Sequence, residues 1–194
     1  MAATSLLRII LIIVFQQEIR KFLLVVGSAT FSRRRGLKSM FTLGNSETNA
    51  LATEAVVSAL KNLAATKTGV LLVVERKDPL GAFAGTGHNL GATVSRIVLE
   101  TIFFKNAPLH DGATIITGNT VSAAGAILPL SESNELPSQF GLRHRAAAGI
   151  SERTDAMALT VSEETGNMHI FYDGTFEKLT ANTLEKKIQE VLAG

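Results

Sequence analysis

A chain of 194 residues carries 19 basic and 17 acidic side chains, so its formal net charge is only +2, and it has no cysteine. The balance of charge argues against a general nucleic-acid binder, and the lack of cysteine excludes disulfides and thiol catalysis. Hydrophobic residues make up 46% of the chain. This length and composition predict one globular domain with a substantial core.

The most apolar stretch of the chain covers residues 6–15. Ten helical residues extend for about 15 Å, roughly half of a bilayer core, so this stretch cannot cross a membrane alone. Apolar residues continue at helical spacing to Val26, and basic residues cluster between Arg20 and Lys38. The pattern predicts a helix that leaves an apolar medium and lies at the cytosolic face of an anionic membrane. An ordinary buried helix followed by a basic loop is the alternative.

The globular domain is expected to begin near Thr48. Apolar residues between Ala50 and Leu63 recur at helical spacing. The run Val70–Val74 is continuously apolar and rich in β-branched residues, which predicts a central strand. We therefore divide the chain into a membrane-proximal helix and basic segment (1–35), a linker (36–47) and a globular domain (48–194).

The glycine-rich stretch Gly85–Gly91 superficially suggests a dinucleotide-binding turn. Its spacing is GxGxxxG, and its glycines do not directly follow a strand, so we reject that interpretation. We expect a glycine-rich loop that precedes a helix. Apolar residues between Val94 and Ile102 predict that helix, which must end before Pro108.

The second half of the chain mixes strands with helices. Gly118-Asn119 is a good hairpin turn between two β-rich runs. A closing helix contains Leu184 and Leu192, with Thr180 as its expected cap. The other predicted elements are strands over 113–117 and 121–128, a loop over 131–137, a helix over 145–150, and a hairpin of strands 156–161 and 168–171. This order predicts an α/β domain with a mixed central sheet flanked by helices.

Chemically capable side chains concentrate in two stretches. In the first, His110 and Asp111 stand side by side before the strand that begins at Ala113. An imidazole and a carboxylate at the mouth of a strand suit a divalent cation, and Gly112 lets a ligand approach the backbone closely. A simple turn is the alternative for this pair.

The second stretch is Arg143-His144-Arg145. Each guanidinium presents a planar fork of donors that matches phosphate oxygens. A solvated helix start is the alternative. A carboxylate for a metal together with arginines for phosphates indicates phosphoryl or nucleotidyl transfer.

Four short motifs give a more specific signal. Pro108–Ala113 and Arg143–Ala147 resemble the paired DGA and RHR motifs of the diadenylate cyclase domain family, and Pro129–Ser133 and Val161–Gly166 resemble further motifs at matching spacing. The resemblance runs from about Leu11 to the last residue, and it is closest to the membrane-bound type. It implies a catalytic domain that lacks most of the N-terminal membrane spans.

The resemblance also implies a reaction and its machinery. Two ATP molecules condense into cyclic di-AMP with release of two pyrophosphates, at a site between two facing domains. Asp111 is implied as the general base or as a metal ligand, His110 as a direct metal ligand, and Glu164 as the acidic residue near the partner's metal. The candidate metals are Mn²⁺, Mg²⁺ and Co²⁺.

The remaining site residues are implied as contacts to ATP. Arg143 and Arg145 would bind phosphates, with His144 supporting their loop. The other implied contacts are Leu90 on the adenine ring, Gly112 and Ala113 through their backbone, Ile127 where many relatives stack an aromatic side chain, and Glu163. One departure stands out, because the family usually has Thr where this chain has Leu142.

The family also implies a setting for the enzyme. The catalytic domain would lie in the cytoplasm, held at the cell membrane by the N-terminal segment, and would act as a homodimer without binding nucleic acid. A YbbR-repeat membrane protein and phosphoglucosamine mutase are partners by family analogy.

Two other functions compete with this one. The first is a catalytically silent nucleotide-binding sensor or scaffold at the membrane, against which stands the intact set of Asp111, Arg143 and Arg145. The second is a metal hydrolase built on His110 and Asp111, against which stands the absence of HExxH-like histidine spacing.

Overall fold

The computed structural model of the protein describes residues 51–194. This part of the chain folds into seven strands and five helices. In chain order they are α1 (Thr53–Ala65), β1 (Val70–Val74), α2 (Gly81–Ala84), β2 (His88–Thr93), α3 (Arg96–Ile102), β3 (Ala113–Thr117), β4 (Thr120–Ala126), α4 (Leu142–Ser151), β5 (Met157–Val161), β6 (Met168–Tyr172), β7 (Thr175–Leu179) and α5 (Leu184–Ala193).

All seven strands belong to one sheet, in the order β2-β4-β3-β1-β5-β6-β7. The pair β1–β3 is parallel, and the other neighbouring pairs are antiparallel. This confirms the predicted α/β domain with a mixed sheet. The strand Val70–Val74 is central, as predicted, because it pairs with β3 on one side and β5 on the other.

Helices cover both faces of the sheet, which explains why the central strands are apolar along their whole length. Val56 of α1, Leu99 of α3 and Ile188 of α5 pack with one set of strand residues in the first core cluster. Ala147 and Ile150 of α4 pack with the opposite set in the second. Consecutive strand residues point to opposite faces, so a fully buried strand such as β1 supplies both cores.

Two strands were not expected from the sequence, and both lie at the edges of the sheet. The prediction of a glycine-rich loop over Gly85–Gly91 before a helix is wrong, because His88–Thr93 forms strand β2. This strand pairs with β4 through a register shift between Asn89 and Ala92. At the opposite edge, Thr175–Leu179 forms β7. Both strands are largely exposed, so neither shows the apolar run of a buried strand.

Three predicted boundaries also shift. Helix α4 begins at Leu142 rather than Arg145, so Arg-His-Arg lies inside its first turn. Strand β4 ends at Ala126, two residues before the predicted end. The closing helix has Thr183 at its N-cap position, and Thr180 instead forms the preceding turn by accepting from the backbone N–H of Leu184.

The predicted membrane-proximal segment (1–35) and linker (36–47) lie outside the described residues. Within residues 51–194, no helix has both the length and the apolar character needed to cross a bilayer.

Candidate active site

The ends of four neighbouring interior strands line a cleft of about 760 Å³. The parallel strands β1 and β3 begin at this end of the sheet, whereas their antiparallel neighbours β5 and β4 finish there. The lining residues are Leu71, Asp111, Gly112, Gly125 to Leu128, Leu130, Gln139, Gly141 to His144, Ala146 and Val161 to Glu164. The topology therefore brings the four motifs seen in the sequence to one place.

Asp111 lies on the cleft wall in the turn before β3 and is exposed. Gly112 follows it with φ +93°, a conformation that L side chains rarely adopt. A Cβ at Gly112 would lie 2.8 Å from the carbonyl carbon of Gly125. The close approach of these two glycines sets the position of the Asp111 backbone relative to β4.

His110 is half-buried beside the cleft and does not line it. Its Nδ1 lies 2.6 Å from the carbonyl oxygen of Ala107. A carbonyl can only accept, so this contact fixes the tautomer with the proton on Nδ1 and leaves the Nε2 lone pair available. Histidines that bind a metal typically donate their other ring N–H to a carbonyl or carboxylate oxygen in this way.

Arg143 and Glu163 form an ion pair inside the cleft. Nη1 of Arg143 donates to Oε2 of Glu163 over 3.0 Å, and 23% of the arginine side chain remains exposed. Gly69 lies behind the pair, where a Cβ would be 2.8 Å from Nη1 of Arg143. Nε of Arg143 is buried and has no hydrogen-bond partner among residues 51–194. The guanidinium is thus oriented by one carboxylate and has a donor left over.

Arg145 is separated from Arg143 by the body of helix α4. Two residues on an α-helix differ by about 200° around the axis, so their side chains leave on opposite sides. Nη1 of Arg145 donates to the backbone oxygen of Ser131 over 3.4 Å, and Arg145 does not line the cleft. The structure does not place the two arginines together as a phosphate-binding pair.

His144 is only 6% exposed and packs within an aromatic cluster. Its ring stacks on Phe140 with centroids 4.4 Å apart and lies edge-on to His169 at 5.2 Å. Burial lowers the pKa of His144 to about 4, with further lowering from His169 and Arg143. A neutral His144 therefore anchors the first turn of α4 between its two arginines.

Three large apolar side chains line the cleft and remain exposed: Ile127 and Leu142 at 72% each, and Leu130 at 45%. Of these, Ile127 is one of the residues that the resemblance implies as an adenine contact. Leu90, the other predicted adenine contact, packs against the core on the face of α1, α3 and α5. Leu130 was missed as a site residue, although it belongs to the quoted Pro-Leu-Ser motif, and motif membership was the signal that could have found it.

Of the remaining predicted residues, some line the cleft and one is buried in the sheet beneath it. Glu163 and Glu164 line the cleft and are exposed. Ala113 is fully buried as the first residue of β3. Within the described part of the chain, no three His, Asp or Glu side chains converge as a complete metal site. His110, Asp111 and Glu164 therefore do not form a closed metal site within one copy.

The comparison with protein families decides the classification. Residues 57–176 match the DAC family model, described as DisA bacterial checkpoint controller nucleotide-binding. The chain belongs to this family. The matched range includes Asp111, Arg143 and Glu163, so the cleft lies in the part of the domain that defines this nucleotide-binding family.

Solved structures and curated proteins agree with this classification. Cyclic di-AMP synthase CdaA of Bacillus subtilis is 39% identical over 180 residues, which cover 92% of this chain and 64% of that protein. The crystal structure of a double mutant of DacA from Staphylococcus aureus is similar with a TM-score of 0.71 and 37% identity, covering 73% of this chain and 95% of that chain. A structure from Bacillus cereus, described as a hypothetical membrane spanning protein, has a TM-score of 0.66 and 39% identity over 70% of this chain and 66% of that one. The chain spans less than two thirds of the length of the curated relatives with which it aligns over most of its own length.

Proposed function

We propose that this chain is a diadenylate cyclase, which condenses two ATP molecules into cyclic di-AMP and releases two pyrophosphates. The observation that supports this proposal most directly is the cleft, where Asp111, Arg143 and Glu163 line one cavity at the strand ends of a DAC-family sheet. The relatives from Bacillus subtilis and Listeria monocytogenes are named cyclic di-AMP synthase and diadenylate cyclase, which supports the same activity.

The proposed reaction joins two nucleotides by two equivalent steps. In each step the 3′-oxygen of one ribose forms a bond to the α-phosphorus of the other ATP, and the bond from that phosphorus to the pyrophosphate oxygen breaks. Asp111 accepts the proton of the attacking hydroxyl, because it is an exposed carboxylate on the wall of the cleft. Pyrophosphate leaves with the bonding electron pair, and the second step closes the ring.

Arg143 is the proposed phosphate ligand of the cleft. Nη1 of its guanidinium is bound by Glu163, Nε has no hydrogen-bond partner within residues 51–194, and 23% of the side chain remains exposed in the cleft. A triphosphate carries several negative charges on neighbouring oxygens, so it competes well with one carboxylate for the guanidinium. Arg145 contributes differently, since its guanidinium binds the backbone of Ser131 on the other side of α4.

Two nucleotides require two clefts. One copy of the chain brings one Asp111 and one Arg143 to a single cavity. A ring with two phosphodiester bonds needs two ATP molecules in opposite orientation, which two copies provide when they face each other across a two-fold axis. The exposed side chains of Ile127, Leu130 and Leu142 at the cleft would be covered in that arrangement.

A divalent metal fits the donor atoms at this end of the sheet, beside the cleft. Nδ1 of His110 is engaged with the carbonyl oxygen of Ala107, which leaves Nε2 as the ring nitrogen that could bind a metal, and the adjacent Asp111 carboxylate is exposed. His110 and Asp111 would hold Mn²⁺, Mg²⁺ or Co²⁺, with Glu164 of a facing copy near the same ion. When bound, such an ion lowers the pKa of the attacking hydroxyl and neutralises phosphate charge.

The proposed location is the cytoplasmic face of the cell membrane. Support comes from the apolar and basic N-terminal segment and from the relative described as membrane spanning. Confinement to a surface raises the local concentration of the domain and so favours pairing of two copies.

Incubation of the protein with ATP and Mn²⁺, followed by mass spectrometry of the products, tests the proposal. A cyclic dinucleotide together with pyrophosphate is expected. Unchanged ATP would favour a silent nucleotide sensor, and ADP or AMP would favour a hydrolase. Either of those outcomes contradicts the proposed activity.

A further inference from the structure

The loop that follows β4 forms one wall of the cleft, and residues 127–133 are called the rim loop below. Ile127 and Leu130 expose their side chains from this loop and line the cleft. The facing wall is the first turn of α4, which carries Leu142 and Arg143. The separation of these walls decides how well a planar base and its phosphates fit between them.

The rim loop is tied to helix α4 through Ser131, which is only 3% exposed. The backbone N–H of Ser131 donates to the carbonyl oxygen of Arg145 over 2.9 Å, and Nη1 of Arg145 donates back to the carbonyl oxygen of Ser131. The hydroxyl of Ser131 donates to Oε1 of Glu152 over 2.5 Å. This length is typical of a charge-assisted bond between a hydroxyl and a carboxylate.

Two further contacts define the path of the loop. A Cβ at Gly149 of α4 would overlap the carbonyl oxygen of Pro129 and lie 2.8 Å from the carbonyl carbon of Leu130, so the loop backbone lies directly on the helix. At the start of the loop, the backbone N–H of Ile127 donates to Oγ1 of Thr86 over 2.9 Å. The loop is therefore held at its start by Thr86 and over its second half by α4.

Glu152 makes the only side-chain bond from the far end of α4 to the rim loop within the described residues. It follows the last residue of α4, about two and a half turns from Arg143 along the helix, and it does not line the cleft. Its carboxylate satisfies a buried hydroxyl, and that hydroxyl also accepts from the backbone N–H of Ser133 over 3.2 Å. Removal of the carboxylate leaves the buried hydroxyl without its acceptor, which favours a displaced loop.

We propose that Ser131 and Glu152 are positioning residues that set the distance between the rim loop and Arg143, and so tune the affinity of the cleft for ATP. This inference rests on the proposed function for the identity of the nucleotide. The rim loop would contact the base, remote from the reacting phosphorus, so its contribution is the same in the ground state and in the transition state. Loss of such uniform binding raises KM and leaves kcat almost unchanged.

The test compares Ser131→Ala and Glu152→Ala with Glu152→Gln, which keeps an acceptor oxygen, and with Glu135→Ala as a matched carboxylate control. The side chain of Glu135 is exposed in the same connection and makes no hydrogen bond within residues 51–194. The dissociation constant of a non-hydrolysable ATP analogue is measured by calorimetry, and KM and kcat by formation of the cyclic product. Thermal unfolding establishes which variants fold.

We expect Ser131→Ala and Glu152→Ala to raise both the dissociation constant and KM about fivefold to tenfold, which is less than the full loss of one charge-assisted hydrogen bond because the loop keeps its other contacts, with kcat changed by less than about twofold. Glu152→Gln should recover most of the affinity, and Glu135→Ala should match the parent protein. If Ser131→Ala fails to fold, the two Glu152 variants decide the matter.

Unchanged affinity in folded Glu152→Ala, or a fall in kcat with unchanged affinity, would overturn the positioning role. A parent protein that binds the analogue without forming cyclic product would instead contradict the proposed function. In that case the calorimetric comparison still tests the positioning role, so the two failures are distinguishable.

Discussion

Arg143 donates to Glu163 over 3.0 Å, and the space immediately behind the guanidinium is taken by the Cα of Gly69. A methyl group at Gly69 would lie 2.8 Å from Nη1 and 3.0 Å from Oε2 of Glu163. The glycine thus sets where the ion pair lies in the cleft, although none of the sequence motifs includes it.

The variant Gly69→Ala is therefore expected to displace Arg143 while the domain remains folded. The obstructed atoms are ends of flexible side chains, so the clash is relieved by side-chain movement rather than by the core. Loss of one charge-assisted contact to phosphate predicts a drop in kcat/KM of about tenfold or more. Steady-state kinetics and thermal unfolding measure the two effects.

Gly81→Ala is the matched control, because nothing lies within 4 Å of the added Cβ. It should keep parental activity. A Gly69→Ala protein with parental kcat/KM would show that the position of Arg143 does not matter for the reaction.

The sequence predicted most of what builds this cleft, and the exceptions have physical causes. The apolar runs of β1 and β3 and the turn at His110-Asp111-Gly112 place Asp111 at a strand mouth. The edge strands β2 and β7 escaped prediction because solvent-facing strands need no continuous apolar run.

The relation between Arg143 and Arg145 escaped prediction for another reason. The predicted helix begins at Arg145, which leaves Arg143 in the preceding loop, where its side chain could turn toward that of Arg145. Because α4 begins at Leu142, the two side chains fall on opposite sides of the helix, one toward Glu163 and one toward Ser131. A shift of three residues in a helix start changes which side chains can cooperate.

The low pKa of His144 predicts acid sensitivity of the fold. The ordinary pKa is 6.5 and the folded value is about 4, so the unfolded chain binds more protons between these limits. His144 therefore does not reduce the free energy of unfolding above about pH 6.5, and that free energy decreases as the pH falls from 6.5 toward 4. His169 contributes in the same direction, since burial also lowers its pKa.

Thermal unfolding across this pH range measures the effect. The melting temperature of the parent protein should fall on acidification. The variant His144→Phe keeps a stacking ring on Phe140 without a titrating nitrogen, so its melting temperature should fall less. An equal slope in both proteins would contradict the assignment of acid sensitivity to His144.

Leu142 stands where the resemblance drawn from the sequence implies Thr, and its side chain is not packed in the core. Its side chain is 72% exposed and lines the cleft. Leu142→Thr should leave the melting temperature unchanged and raise activity severalfold at most, since one neutral hydrogen bond contributes only about 0.5–1.5 kcal/mol. KM and kcat with ATP provide the measurement. A large loss of activity would show that the apolar side chain itself contacts the nucleotide or the facing copy.

Mixed variants test the requirement for two copies. Asp111→Asn and Arg143→Ala proteins should each be inactive alone, because both half-reactions lack the same residue. In a mixed dimer one half-reaction keeps both an intact Asp111 and an intact Arg143, and the other lacks both. We expect the linear dinucleotide to appear in the mixture, without efficient ring closure.

Product analysis by chromatography and mass spectrometry reads out this experiment. Absence of any dinucleotide beyond the sum of the two separate proteins would mean that the copies do not share the reaction. Cyclic product at the parental rate would mean that one intact set completes both bonds. Either result would contradict two equivalent half-reactions between facing copies.

The most direct measurement compares the parent protein with Asp111→Asn for both ATP binding and cyclic di-AMP formation in the presence of Mn²⁺. The amide keeps the shape of the carboxylate but removes its charge and its capacity to accept the proton of the 3′-hydroxyl. We expect a folded variant that still binds ATP through Arg143 and forms no cyclic di-AMP, whereas the parent protein forms it. Turnover in Asp111→Asn equal to that of the parent protein would exclude Asp111 as the residue that activates the 3′-hydroxyl.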